Sequence, residues 1–181
     1  MQNLKKLKGD ASHREFFRKK FNDGNSIIIR AKKDKFKNLL VYDAISNTLN
    51  KNKILAPKLY RENYNNNYIE IEDFGNETIY KILKKNKNKK ILYFKNIIKL
   101  LKQVQSIKDK RIKNFKNKYY QIPEYKNEIL IEEANLFCEW YVKKNLPKNK
   151  RQKFNKKFKK IIKNLSSCLK MKNNIFVHRD F

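Results

Sequence analysis

Apolar and polar side chains alternate in the first part of the chain, which is the pattern of half-buried β-strands. The β-branched run at residues 26–31 follows a turn signal at residues 22–25, and together with the segment before the turn it predicts a hairpin. Residues 68–74 alternate in the same way and predict a further strand, which a Gly-Asn pair ends. Between these strands, apolar residues at helical spacing predict a helix that ends near Asn50.

After residue 75 the apolar residues recur every three to four positions, which is the period of amphipathic helices. This spacing predicts helices at residues 91–104 and 154–169. A longer helix is predicted over residues 122–146, because Pro123 precedes its first turn, acids lie near its start and lysines near its end. The layout predicts an α+β fold with a small antiparallel β-rich lobe and a helical lobe, at residues 1–75 and 76–181.

The chain of 181 residues is strongly basic, with 46 Lys and Arg against 17 Asp and Glu and a formal net charge of +29. A basic surface attracts phosphates of any sequence, so a module that binds nucleic acid or another anionic surface is one open hypothesis. The lysines are spread along the whole chain rather than gathered into one arm, which argues against nucleic acid as the main partner.

The two cysteines, Cys138 and Cys168, have no spacing typical of a zinc site or a disulfide framework. A reducing compartment suits such a chain, so we predict a cytoplasmic protein. No apolar run approaches the ~18 residues that a membrane span needs, and no apolar segment of a signal peptide follows the basic N-terminus. The sequence therefore predicts a soluble protein.

The letters His178-Arg179-Asp180 match the opening of the catalytic loop of protein kinases. In that loop the Asp accepts the proton of the attacking hydroxyl, and an Asn five positions later binds the metal. A chance triplet in a frayed terminus is the alternative. The order of the motifs upstream favours the catalytic interpretation.

A candidate phosphate loop lies between two predicted strands, where Gly9 permits a turn and Ser12 and Arg14 can meet an anion. An ordinary turn is the alternative. Residues 73–75 spell D-F-G, the kinase metal motif, but they precede the H-R-D triplet instead of following it. We therefore predict that Asp73 is not a metal ligand and that this segment is a hinge whose backbone groups meet an adenine edge.

Five segments in this order resemble the aminoglycoside-phosphotransferase family of kinase-like enzymes. They are GDAS, the R and F-R that follow it, IEDFGNETIY, IPEYKNEILIEEANLFCEWYV and VHRDF. Within that family the chain is most similar to the bacterial anomeric N-acetylmuramate/N-acetylglucosamine kinases of cell-wall sugar recycling. The resemblance implies a protein-kinase-like bilobal fold with an incomplete helical C-lobe, and transfer of the γ-phosphoryl group of ATP to a sugar hydroxyl.

The resemblance also implies roles for individual residues. The catalytic Asp is matched by Asp180, with His178 and Arg179 shaping the loop around it. The nucleotide is expected to contact the phosphate-covering loop of Gly9, Asp10 and Ser12, the two arginines Arg14 and Arg30, and the hinge of Glu72, Asp73 and Phe74. The sugar side is expected at Glu133, Trp140 and Tyr141, for which helix packing is the alternative.

Two departures from kinase-like folds change these expectations. Kinase-like folds usually pair a strand Lys with a helix Glu. Here the strand offers Arg30, with Lys32 and Lys33 just after it, and the helix offers Asp43. The catalytic-loop Asn and the metal-binding Asp have no match, so ligands of Mg²⁺ are expected beyond residue 181 and no metal site within the chain. The sequence thus predicts a C-terminally truncated kinase that is inactive alone, with half of a split kinase, completed by a separately encoded C-terminal piece, as another hypothesis.

Overall fold

Five strands form an antiparallel sheet in the computed structural model, which describes residues 4–7, 14–22, 24–31, 38–169 and 175–177. Along the chain they are β1 (Leu4–Lys6), β2 (Arg14–Phe21), β3 (Gly24–Ala31), β4 (Leu59–Asn63) and β5 (Tyr68–Glu72). Their order across the sheet is β1-β2-β3-β5-β4. The sheet and its helices confirm the α+β class, and this architecture is compatible with a kinase-like fold.

The predicted hairpin is confirmed, because β2 and β3 pair from Phe21 opposite Gly24 to Arg14 opposite Ala31. Strand β5 pairs with β3 on its other side, so β3 lies at the centre of the sheet. The strand predicted to reach residue 74 ends at Glu72. The two residues after it leave the ladder and begin a turn that matters for the candidate site.

Helix α1 (Asn38–Lys51) covers one face of this sheet and confirms the helix predicted to end near Asn50. Alternate residues of β3 and β5 point to that face and are almost fully buried against Leu39 of the helix. They are Ile27, Ile29, Ala31, Ile69 and Ile71. Such β-branched residues suit a pleated, half-buried surface, which explains why the period-two pattern located the strands correctly.

Two helices follow the sheet, α2 (Ile79–Lys85) and α3 (Lys90–Ser106). The second confirms the helix predicted at residues 91–104. Its periodic stripe is largely exposed, with Ile91 at 72% of its accessible surface, and only Val104 of this helix is buried. Val104 packs with Ile54 and Ile107 in a small second cluster.

A short hairpin after α3 consists of β6 (Arg111–Lys113) and β7 (Tyr119–Gln121). Its turn is fixed by Asn114, whose side-chain oxygen accepts hydrogen bonds from the backbone N–H groups of Lys116 and Lys118. The next residue, Phe115, donates its backbone N–H to Asp43 of helix α1 at 2.7 Å. This bond ties the hairpin to the helix that covers the sheet.

The chain divides into two compact units, residues 1–122 with 176–181, and residues 123–175. The second unit contains α4 (Asn127–Leu136), a π-helical turn (Phe137–Val142), α5 (Lys143–Asn145) and α6 (Lys148–Cys168). The single helix predicted over residues 122–146 is therefore wrong in two respects. Residues 123–126 are not helical, and the π-helical turn interrupts the α-helical hydrogen bonding. Helix α6 confirms the helix predicted at residues 154–169 and begins directly after Pro147.

Candidate functional site

The turn after β5, which we call the post-β5 segment (residues 73–76), is held by an arginine from β2. Arg18 forms an ion pair with Asp73, with 2.5 Å between Nε and Oδ2 and 3.0 Å between Nη2 and Oδ1. The same guanidinium donates to the backbone carbonyl of Gly75 at 3.1 Å and to the side-chain oxygen of Asn76 at 2.7 Å. One planar group therefore contacts three of the four residues of the segment.

The carboxylate of Asp73 is committed to this arrangement. Its Oδ1 also accepts the backbone N–H of Gly75 at 2.8 Å, and the side chain of Asp73 is only 4% exposed. Gly75 has a φ of +80°, in the left-handed region that glycine adopts without a steric cost. An acid with these partners is a turn-forming group.

The backbone of Phe74 offers one donor and one acceptor at this turn. Within the described part of the chain, no hydrogen bond engages the N–H or C=O of Phe74, and its ring is half exposed. The neighbouring Glu72 is occupied, because its N–H bonds to the carbonyl of Lys58 and its carboxylate accepts the N–H of Lys58. A purine edge presents adjacent donors and acceptors, which is the pattern that an unpaired peptide group can meet.

The two arginines predicted to meet the nucleotide lie on opposite faces of the sheet. Arg14 pairs with Ala31 on the face that α1 covers, and its guanidinium carbon lies 5.5 Å from the centre of the Tyr42 ring. Arg30 points to the other face, where it lies 5.8 Å from the centre of the Phe17 ring. Arg14 directly follows the predicted phosphate loop in sequence, so it is the better placed of the two to reach a phosphate there.

The acid that stands in for a helix Glu, Asp43, is 3% exposed and faces the β6–β7 hairpin. Its Oδ2 accepts the N–H of Phe115 at 2.7 Å and the amide of Asn47 at 3.0 Å, while its Oδ1 has no hydrogen-bond partner among the described residues. Burial raises the pKa of this carboxyl above its ordinary value, and the hydrogen bonds from Phe115 and Asn47 oppose that rise. These bonds give Asp43 a structural position in the described part of the chain.

Several predicted site residues lie outside the described residues: Gly9, Asp10, Ser12, Lys32, Lys33, His178, Arg179 and Asp180. The approach to the H-R-D triplet is described as far as Val177. Phe176 packs against the cluster of Ile54, Val104 and Ile107, which belongs to the same compact unit as the sheet. Phe176 thus fixes the segment before the triplet to this cluster, whereas Val177 is exposed.

In the second unit, the three residues predicted at the sugar side differ in how far packing occupies them. The carboxylate of Glu133 accepts a hydrogen bond from the hydroxyl of Tyr125. Tyr141 stacks on Phe137 with 5.1 Å between ring centres. Trp140 is 75% exposed and lies in the π-helical turn. Such turns are frequent at functional sites, and of these residues Trp140 has the ring most available to a ligand.

No group of three or more His, Cys, Asp or Glu residues within the described ranges is arranged to hold a metal ion. The helices in the same ranges include none that is long and apolar enough to cross a membrane.

Comparison with known proteins gives one informative relative. No protein-family model matches the sequence. The chain is 25% identical over 176 residues to an N-acetylmuramate/N-acetylglucosamine kinase of Neisseria meningitidis serogroup B, a match that covers 95% of this chain and 49% of the relative. The match supports a kinase-like relationship. The chain spans about half the length of the curated relative that it matches.

Sequence reasoning gave Arg18 no role at the site, although it singled out the acid that Arg18 binds. The two residues are 55 positions apart, and only the pairing of β2 with β3 and of β3 with β5 brings them together. Arg18 lies two positions after Phe16 in the predicted strand, and this spacing was the available signal, since an arginine on the buried face of a strand needs an acid partner.

Proposed function

We propose that the chain forms the nucleotide-binding part of an ATP-dependent phosphotransferase whose acceptor is the hydroxyl of an amino sugar. The observation that carries this proposal is the match to a sugar kinase along nearly the whole chain. The antiparallel sheet with α1 on one face is compatible with it. The acceptor class follows from the relative's name, N-acetylmuramate or N-acetylglucosamine, and from the resemblance of the motifs.

The proposed roles divide between binding and proton transfer. The free peptide group of Phe74 meets the edge of the adenine, and Arg14 with the loop of Gly9, Asp10 and Ser12 meets the phosphates. Asp180 accepts the proton of the sugar hydroxyl as that oxygen attacks the γ-phosphorus and the bond to the β-phosphate oxygen breaks. Arginine and backbone N–H groups suit the phosphate role because they form several charge-assisted hydrogen bonds with phosphate oxygens.

Nucleotide binding is the step that can be tested on this chain directly. A ligand present at a hundred times its Kd stabilises the folded state by about 2.7 kcal/mol, which corresponds to a rise in Tm of about 5–10 °C for a chain of this size. We expect such a rise with Mg·ATP and a smaller one with Mg·AMP, because AMP lacks the β- and γ-phosphates. An unchanged Tm at millimolar Mg·ATP would contradict the proposal.

The same measurement separates the kinase proposal from the basic binding module. The eleven Lys and Arg residues between Lys143 and Lys163 stand without an acid among them, so some affinity for DNA is expected at low salt. Binding of DNA that falls steeply with salt, together with no response to Mg·ATP, would favour the module. A response to Mg·ATP that persists in the presence of competing DNA favours the kinase.

A further inference from the structure

We propose that Arg18 is a positioning residue for the nucleobase: it fixes the post-β5 segment in the conformation that presents the Phe74 peptide group. This inference rests on the proposed function, since it concerns how the same nucleotide site is held in shape. Arg18 lies in the F-R segment of the resemblance, which implies no role for it at the site, and it acts through residues 73–76.

The contacts of Arg18 are directed at the segment and at nothing else among the described hydrogen-bond partners. Its Nε and Nη2 approach the two carboxylate oxygens of Asp73, its Nη2 also reaches the carbonyl of Gly75, and its Nη1 reaches Asn76. A guanidinium supplies this fixed fork of donors, whereas the single ammonium of a lysine cannot reach three partners in one plane. The geometry therefore requires arginine, not merely a positive charge.

The burial of the pair indicates that it determines conformation more than it adds stability. The side chains of Arg18 and Asp73 are 12% and 4% exposed. Removing two charges from water costs free energy that the attraction between them often only offsets, so a buried ion pair is weak evidence for net stabilisation. Between a strand and a turn, such a pair best serves to fix one conformation of the turn among several.

The segment has few other restraints. Besides Arg18, the described contacts within it are the bond from the Gly75 N–H to Asp73 and the bond from the Lys81 ammonium to the carbonyl of Asn76. Without Arg18, the turn that contains a left-handed glycine is free to sample other conformations, and ordering it again opposes binding. The phosphate contacts proposed at Arg14 do not involve this segment.

This difference predicts a selective effect on the base. Adenine and guanine present opposite donor and acceptor patterns on the edge that carries the 6-substituent, so a rigid peptide group distinguishes them and a mobile one does not. A well-aligned bidentate contact discriminates against the wrong base by roughly 5- to 150-fold in Kd, which is about 1–3 kcal/mol. The affinity for ATP should therefore depend on Arg18, and the affinity for GTP should not.

The test is isothermal titration calorimetry with Mg·ATP and Mg·GTP on the whole chain, on four single variants and on one double variant. Arg18→Met keeps the length of the side chain and removes the donors, Arg18→Lys keeps the charge, and Asp73→Asn weakens the same pair from its other side. Arg61→Met in strand β4, where the arginine is exposed and no described hydrogen bond or ion pair engages it, is the matched control. The Tm of every variant is measured in parallel.

We expect Arg18→Met and Asp73→Asn to raise the Kd for ATP by about tenfold, equivalent to about 1.4 kcal/mol. The Kd for GTP should change by less than about twofold, since the lost contacts serve only adenine. Arg18→Lys should fall between Arg18→Met and the unmodified chain, and Arg61→Met should match the unmodified chain. Combining Arg18→Met with Asp73→Asn should add little, because both changes act on one contact.

Three results would overturn the inference. An unchanged Kd for ATP in Arg18→Met shows that the segment does not need the arginine. Equal losses for ATP and GTP, accompanied by a lower Tm, show that Arg18 only supports the fold. Equal affinities of the unmodified chain for ATP and GTP show that no rigid peptide group reads the base. Failure of the proposed function is distinguishable, because the unmodified chain would then bind neither nucleotide.

Discussion

Replacement of Asp43 offers a measurement of how the hairpin β6–β7 is attached to helix α1. Asp43→Ala removes the acceptor of the Phe115 N–H, which lies at 2.7 Å, and of the Asn47 amide, at 3.0 Å. A donor left without a partner in a buried position costs about 1–3 kcal/mol. Asp43→Asn keeps an oxygen for the Phe115 N–H and removes only the charge, so it is the matched control.

We therefore expect Asp43→Ala to be less stable than Asp43→Asn by about 2 kcal/mol at pH 7, which corresponds to about 4–8 °C in Tm. Thermal unfolding followed by circular dichroism measures this difference. Hydrogen exchange at the Phe115 amide gives a local readout, and exchange should be faster in Asp43→Ala alone. Equal melting temperatures for the two variants, or unchanged exchange at Phe115, would refute the assignment of this bond as the attachment.

The pH dependence of the same variants follows from the raised pKa of Asp43. A carboxyl whose pKa is higher in the folded state binds its proton more tightly there, so protonation favours folding. The stability of the unmodified chain relative to Asp43→Asn should be greatest below the ordinary value of 3.8 and should fall as the pH rises through the raised pKa. A relative stability that rises with pH over this window would show that the hydrogen bonds to the carboxylate outweigh its burial.

Two further predictions concern the post-β5 segment and the second unit. Gly75→Ala should lower the free energy of unfolding by about 1–2 kcal/mol, the cost of a left-handed backbone for a residue with a Cβ. Packing does not contribute, because an added Cβ meets no atom within 4 Å. Gly75→Asn should cost less, and equal Tm values for the two variants would contradict this reason. Trp140, the single tryptophan, is 75% exposed, so acrylamide should quench its fluorescence efficiently, and saturating N-acetylmuramate should protect it if this ring contacts the acceptor. Quenching that is the same with N-acetylmuramate and with a mannitol control would remove Trp140 from the acceptor site.

Local patterns predicted the elements of the fold well. The turn signal before residue 26 and the β-branched run after it specify the β2–β3 hairpin, and helical spacing specifies α1, α3 and α6. These elements depend on neighbours a few positions away, which a sequence displays directly. The start of α4 and the π-helical turn were not predictable in this way, because the apolar residues around Phe137 suit an α-helical and a π-helical turn equally.

The candidate site was only partly predictable, because its geometry depends on distant pairing. The sequence indicated Asp73 and Phe74 as a hinge and excluded Asp73 as a metal ligand, but which side chain holds Asp73 depends on the register of three strands. The two arginines were predicted as one group, and they separate because Arg14 pairs with Ala31 whereas Arg30 pairs with Glu15 on the other face. The period of two shows which side chains of a strand share a face, but which face is buried is known only from the register.

The 55 positions of sequence between Arg18 and Asp73 also bear on the order in which the sheet folds. Strands β2 and β3 close a short loop, whereas Ser26 of β3 meets Glu70 of β5 across 44 positions and Arg18 meets Asp73 across 55. Contacts between distant positions form late, since closing a long loop costs entropy before any bond compensates for it. The post-β5 segment should therefore form last within the sheet. If ATP binds there as proposed, it would slow the unfolding of the completed sheet without accelerating the formation of the hairpin.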